Sequence, residues 1–275
     1  MRHGCVKADA DCEAAERPAH RVVLTQSMWM GRTEVTVGAF RRFVEGTGFV
    51  PSSEAGPDGP RGRIYLEAGE AEEIGWAWVR GVTWARPLDP EQPAPDEWPV
   101  AQVTPRDAEA FCAWTGGRLP TEAEWEFSAR GGREGTIHVW GNQGTPEVAG
   151  DLWANGPDQE TADRFPSMGT FEGYHDGFAA LAPVGLFRAN AFGLYDMAGN
   201  VYEFTADAYT EDTYSADTRI DPSGPTTGLG RAVRGGSWGY EPEHHRVSWR
   251  GYFSDASDFW TATLGFRCVL DEAPS

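Results

Sequence analysis

The chain is nearly without lysine. Lys7 is its only one, and almost all other positive charge is arginine. Against 23 lysine and arginine residues stand 42 acidic ones, for a formal net charge of −19. The acidic balance argues against nucleic acid and anionic membranes as partners, both of which call for basic patches. Long apolar runs are missing as well. A membrane-crossing helix takes about 18 or more consecutive apolar residues, and no such run occurs. No signal peptide is visible, because Met1-Arg2-His3-Gly4 lacks an apolar core. None of the cysteines forms a Cys-x-x-Cys pair, which argues against structural zinc. A Gly-x-Ser-x-Gly elbow, a P-loop and a dinucleotide fingerprint are also absent, and with them the usual sequence evidence for a hydrolase or a nucleotide binder.

Aromatic residues, by contrast, are abundant. Twelve of the 275 residues are tryptophan. That much indole implies an aromatic-rich core or an aromatic-lined binding surface. The cysteines are Cys5, Cys12, Cys112 and Cys268, an even number that permits two disulfides in any of three connectivities.

Short elements are readable along the first half. Arg21-Val22-Val23-Leu24 reads as a strand ahead of Met28-Trp29-Met30. Phe40, Phe43 and Val44 share one helical face after Thr36, with Gly46 as the expected stop. Residues 51–62 and 86–99, rich in Pro and Gly, read as exposed loops. A second helix starts at Thr104-Pro105, with a cap followed by proline in the first turn. It carries Ala108, Phe111, Cys112 and Ala113 inward and ends at Gly116-Gly117. A third starts with Thr121 and Glu124 as a capping box, turns Trp125 inward and stops at Gly131-Gly132. Beyond residue 133, short apolar runs alternate with Gly, Asn, Asp and Pro and leave little room for helices. The expected class is α+β, a single domain over residues 1–275, with 1–20 as an N-terminal extension.

Four motifs occur in order: Arg32-Thr33-Glu34-Val35-Thr36, Leu119-Pro120-Thr121-Glu122-Ala123-Glu124-Trp125-Glu126, Gly193 to Glu203, and Arg234-Gly235-Gly236-Ser237-Trp238 with Leu264-Gly265-Phe266-Arg267-Cys268. Together they resemble the formylglycine-generating enzyme, or sulfatase-modifying-factor, family over nearly the whole chain. The resemblance implies a domain with little regular secondary structure, related to C-type lectin folds. It implies a disulfide between Cys112 and Cys268, which leaves Cys5 and Cys12 for a small local loop. Disulfides would indicate an extracytoplasmic, oxidising location.

The resemblance also implies two structural calcium sites. One would use Asp151, Leu152, Asp176 and Phe178, the other Asp196, Gly199, Val201 and Glu203. Both mix carboxylate and carbonyl oxygen, the donor set calcium takes. In the copper-dependent enzymes of the family two cysteine thiolates hold Cu(I), which suits that soft ion. Their places here are taken by Tyr240 and His245, and phenol with imidazole does not reproduce a two-thiolate site. Ser237 matches a pocket serine, and Tyr202 stands where many relatives have tryptophan. These four residues are the candidates for an active pocket.

Two functions follow. In the first, the chain is a calcium-stabilised binding protein or pseudoenzyme that recognises a polypeptide or other ligand through residues 238–263. Tyr240, His244, His245, Trp249, Tyr252 and Trp260 would supply that surface, because amphipathic aromatics give contact area at low conformational cost. In the second, Glu241, Glu243, His244 and His245 hold iron or copper in a divergent oxidoreductase. Asp255 and Asp258, the remaining carboxylate pair of the strip, read as turn residues.

Overall fold

Among the described residues, three of the five α-helices begin where a threonine hydroxyl meets the free N–H groups of the first turn. In the computed structural model, which describes residues 1–275 except 57, 68–69, 71–73, 255–258 and 272–275, Thr36 caps α1 (Val37–Thr47). The short α2 (Ser52–Ala55) follows. Thr104 with Asp107 boxes α3 (Pro105–Trp114), and Thr121 with Glu124 boxes α4 (Glu122–Arg130). Asp158 caps α5 (Gln159–Arg164). The first helix runs past Gly46 and stops at Gly48, whose φ of 70° provides the left-handed cap. The loop expected over 51–62 holds α2 and the start of a strand. Ser52 is buried because its N–H and hydroxyl both donate to Asp107 of α3.

The strands are short: β1 (Arg2–His3), β2 (His20–Val23), β3 (Met28–Met30), β4 (Arg61–Leu66), β5 (Gly75–Arg80), β6 (Glu147–Val148), β7 (Asp151–Leu152), β8 (Tyr202–Ala208), β9 (Arg219–Ile220), β10 (Arg231–Arg234), β11 (Gly251–Phe253), β12 (Leu264–Gly265) and β13 (Val269–Asp271). The central sheet has the order β11-β10-β8-β12, antiparallel except for β8 with β12. Its middle strand β8 is buried on both faces. Against it pack Phe40 and Phe43 of α1, Phe111 of α3 and Phe266, all buried. A second core gathers Trp125, Trp140, Trp153, Phe171 and Met197. β4 and β5 form a hairpin that stands apart from the central sheet. The result is a single compact α+β domain with few helices and several small sheets.

Residues 1–20 are tied to the rest of the domain by polar contacts. The Gly4 N–H donates to Glu126 at 2.8 Å, and Arg130 reaches the Gly4 carbonyl at 3.1 Å. Arg246 pairs with both Asp9 and Glu16, and Arg250 donates to the Ala15 carbonyl. A disulfide closes Cys5 on Cys12, and another joins Cys112 to Cys268, so no cysteine remains free.

Candidate functional site

The site is organised by two glycines. Gly235 and Gly236 have φ of 97° and 75°, a region closed to most side chains. A Cβ on Gly236 would lie 2.9 Å from His245 Cγ and Nδ1, so only glycine lets the chain approach that ring. After Trp238 the backbone turns through a 3₁₀ segment, Pro242–His245, which sends its two histidines in different directions.

His244 enters an aromatic stack. Its ring lies parallel to Trp249 at 4.2 Å and faces Tyr240 at 5.8 Å. Tyr240 in turn stacks on Trp76 of β5 at 5.8 Å. The Tyr202 hydroxyl lies 2.5 Å from His244 Nδ1. Burial lowers the His244 pKa and raises that of Tyr202 well above a normal phenol, so both groups in this contact are neutral. Burial also pushes the Tyr240 phenol up to about 12. The stack continues through Phe253 and Phe259, parallel at 5.5 Å, with the Arg63 guanidinium 5.3 Å over Phe259. Trp76, Tyr240, His244, Phe253 and Phe259 are all half-buried and form one aromatic furrow.

His245 turns the other way. It is 1% exposed and meets Phe171 edge-on at 5.1 Å. Burial, with His244 and His138 nearby, lowers its pKa to about 3, which keeps it neutral. Neither ring nitrogen has a hydrogen-bond partner among the described residues, and the same holds for the buried Ser237 hydroxyl.

Of the expected ligand surface only Tyr252 is exposed, and it stacks on Tyr209, away from the furrow. His245, Trp249 and Trp260 are buried, a correction to their expected surface role. The Trp260 indole N–H donates to the Arg61 carbonyl and its ring packs against Trp78, which explains its burial. Sequence reasoning missed Trp76, Trp78 and Arg63. The alternation Trp76-Ala77-Trp78, which puts both indoles on one face of a strand, was the available signal. Asp255 and Asp258 lie outside the described residues.

The two histidines point apart and Glu241 and Glu243 are exposed, so these four residues do not converge on one ion. Among the described residues the acids and histidines gather in metal-like geometry only at Asp9, Cys12 and Glu16. There Cys12 is in a disulfide and Arg246 pairs with both carboxylates.

The expected calcium ligands divide sharply. Asp196 has a φ of 55° and its Oδ2 accepts the Gly185 N–H, while Oδ1 is buried with no partner among the described residues. Burial raises its carboxyl to about 6. Glu203 differs from the expected ligand: Arg267 holds both its oxygens at 2.6 Å and the Trp125 indole donates to one of them. Gly199 is needed for close approach, since a Cβ there would strike the Asn155 carbonyl. Around Asp151 the arrangement is different. Arg188 pairs with the Asp151 carboxylate, and its backbone N–H donates to the Leu152 carbonyl at 2.8 Å. Asp176 accepts N–H groups from Gly156 and Phe178, and burial with the Asp158 charge raises it to about 8.

The profile of the Sulfatase-modifying factor enzyme 1-like domain family matches residues 1–272. The formylglycine-generating enzyme of Mus musculus is 34% identical over 271 residues, covering 94% of this chain and 70% of its own. That of Streptomyces coelicolor is 36% identical over 268 residues, covering 93% and 82%. The inactive C-alpha-formylglycine-generating enzyme 2 of Bos taurus is 36% identical over 200 residues, covering 70% and 58%. Among solved structures, PvdO from Pseudomonas aeruginosa superposes with a TM-score of 0.69 at 24% identity, covering 99% of this chain and 91% of its own, and shares the fold.

Proposed function

The chain belongs to the sulfatase-modifying factor enzyme 1-like domain family, and from that premise we propose that it is a member that binds a polypeptide without oxidising it. One observation carries the reading: all four cysteines are consumed in disulfides, so no thiolate pair exists for Cu(I). The relatives include both formylglycine-generating enzymes and a form named inactive, so the family accommodates both outcomes. The aromatic furrow from Trp76 through Tyr240 to Phe259 supplies the contact surface. Its rings are stacked on one another and lose little freedom when a ligand docks. The unpaired Ser237 and His245 atoms behind it would receive a polar group of that ligand. A structural calcium ion belongs, on this reading, at the free oxygen of Asp196, and the resemblance adds the Gly199 and Val201 carbonyls as its further ligands. The two disulfides suit an oxidising compartment outside the cytoplasm; among the described residues no helix is long and apolar enough to cross a membrane.

The test is to incubate the purified chain with a cysteine-containing sulfatase peptide, copper and oxygen. Saturable binding by fluorescence anisotropy with no aldehyde by mass spectrometry is expected. Aldehyde formation would sink the reading, and so would a failure of the peptide to bind.

A further inference from the structure

We propose that the guanidinium of Arg188 takes the place of a cation beside β7, so that the Asp151–Asp176 loops are held without calcium. Three contacts hold Arg188 there. Its Nη1 pairs with Asp151 Oδ2, its backbone N–H donates to the Leu152 carbonyl, and its guanidinium lies 5.0 Å over the buried Trp153 ring. The ion pair alone would be weak, because both partners are about half exposed. The backbone bond and the indole face supply what it lacks, since Arg binds a carboxylate and an aromatic ring at once. Two of these contacts engage oxygens that a calcium ion would need, on Asp151 and Leu152. The third residue, Asp176, is 7% exposed and has each oxygen on a backbone N–H, Oδ2 on Gly156 and Oδ1 on Phe178. A divalent ion brought to this place would sit against a fixed positive charge and would have to displace it. The donor set around Asp151 therefore does not fit calcium while Arg188 is present.

This inference stands apart from the ligand-binding reading, because the number of bound calcium ions tests it without any peptide. The full chain, freed of metal by chelator and dialysis, is titrated with calcium in a calorimeter, beside Arg188→Gln, Arg188→Lys and Asp151→Asn. Arg188→Gln is expected to bind one more ion per chain than the unsubstituted protein, and Arg188→Lys to bind no more. Adding Asp151→Asn to Arg188→Gln should remove the extra ion. A chain carrying Arg188→Gln that folds only in calcium supports the proposal equally, by circular dichroism. If it folds under neither condition, Asp151→Asn alone decides: an unchanged ion count supports the proposal. Loss of one ion from Asp151→Asn alone overturns it, as does an Arg188→Gln chain that folds and gains none.

Discussion

The aromatic furrow and the ion-pair lattice beneath it lie on opposite sides of the same strands, and they are built on opposite terms. The furrow is half-exposed and neutral, its residues meeting through ring faces. The lattice is buried and charged. Arg234 joins Glu122 to Glu126, Arg250 adds two bonds to Glu122, and Arg130 closes on Glu126 at 2.7 Å. Ring faces tolerate substitution, because lost area is regained by repacking or by solvent. Buried charges do not, because each holds its partner's desolvation in check. One region thus tolerates change while the other keeps Gly235, Gly236 and β10 in place.

Breaking the lattice gives the largest expected effect. Glu126 is fully buried and receives Arg130, Arg234 and the Gly4 N–H. Burial works to raise its pKa, yet His3, Arg130 and Arg234 around it outweigh that and hold the carboxyl at about 2. Glu126→Ala takes the carboxylate from Arg130, one of two from Arg234, and the acceptor from the Gly4 N–H. A loss of about 3–5 kcal/mol is expected, as for other broken buried pairs. Urea denaturation followed by tryptophan fluorescence measures it. A loss under about 1 kcal/mol would mean the lattice is no more demanding than the furrow.

The boundary of the lattice is tested by pH. His138 stacks on Trp140 at 4.4 Å, and burial, opposed by Asp9, lowers its pKa to about 4. In the unfolded chain the same imidazole titrates at its ordinary value of about 6.5. Below that pH the unfolded state takes a proton that the folded state refuses, so this contribution to stability is lost as pH falls from 6.5 toward 4. Between pH 7.5 and 5 the loss from His138 amounts to about 2 kcal/mol. His138→Phe keeps a ring on Trp140 and has nothing to protonate. Thermal melts should therefore show the variant gaining on the unsubstituted chain as the pH is lowered. Parallel pH profiles for the two proteins would contradict the assignment.

The lattice was more readable from sequence than the furrow. Thr104, Thr121 and Glu124 announce α3 and α4 through local hydrogen bonds, and Leu119 to Glu126 forms a contiguous motif. The resemblance named the disulfide pairing and the pocket residues, and the structure carries both disulfides. The furrow depends on contacts between distant segments. Trp76 meets Tyr240 only because the β4–β5 hairpin folds across the 238–263 strip, and nothing local to either residue encodes that. His245 looked like a surface residue because imidazole is polar; Gly236 and Gly156, by leaving room at its ring nitrogens, let it go inside. Arg188 carried no signal at all, since its value lies in its distance from Asp151 and Trp153 in space.

The extent of the furrow is the finest point, and two tyrosines decide it. Tyr240 touches Trp76, Tyr202, His244 and Phe253, so Tyr240→Ala opens the stack at its centre. Stability should fall by only about 1–2 kcal/mol, since the residue is half-buried, whereas a central aromatic anchor removed from an interface typically weakens binding about tenfold or more. Tyr252 lies in β11 opposite Ala232, is 46% exposed and stacks on Tyr209. Among the described residues its ring partner is Tyr209, outside the furrow. Tyr252→Ala should change stability by about 0.5 kcal/mol or less, as at other exposed positions, and leave affinity for the sulfatase peptide within about twofold. Anisotropy titrations of both variants under one set of conditions make the comparison. Equal losses from the two would extend the binding surface across β11 to Tyr209, and a loss from Tyr252→Ala alone would move it off the furrow altogether.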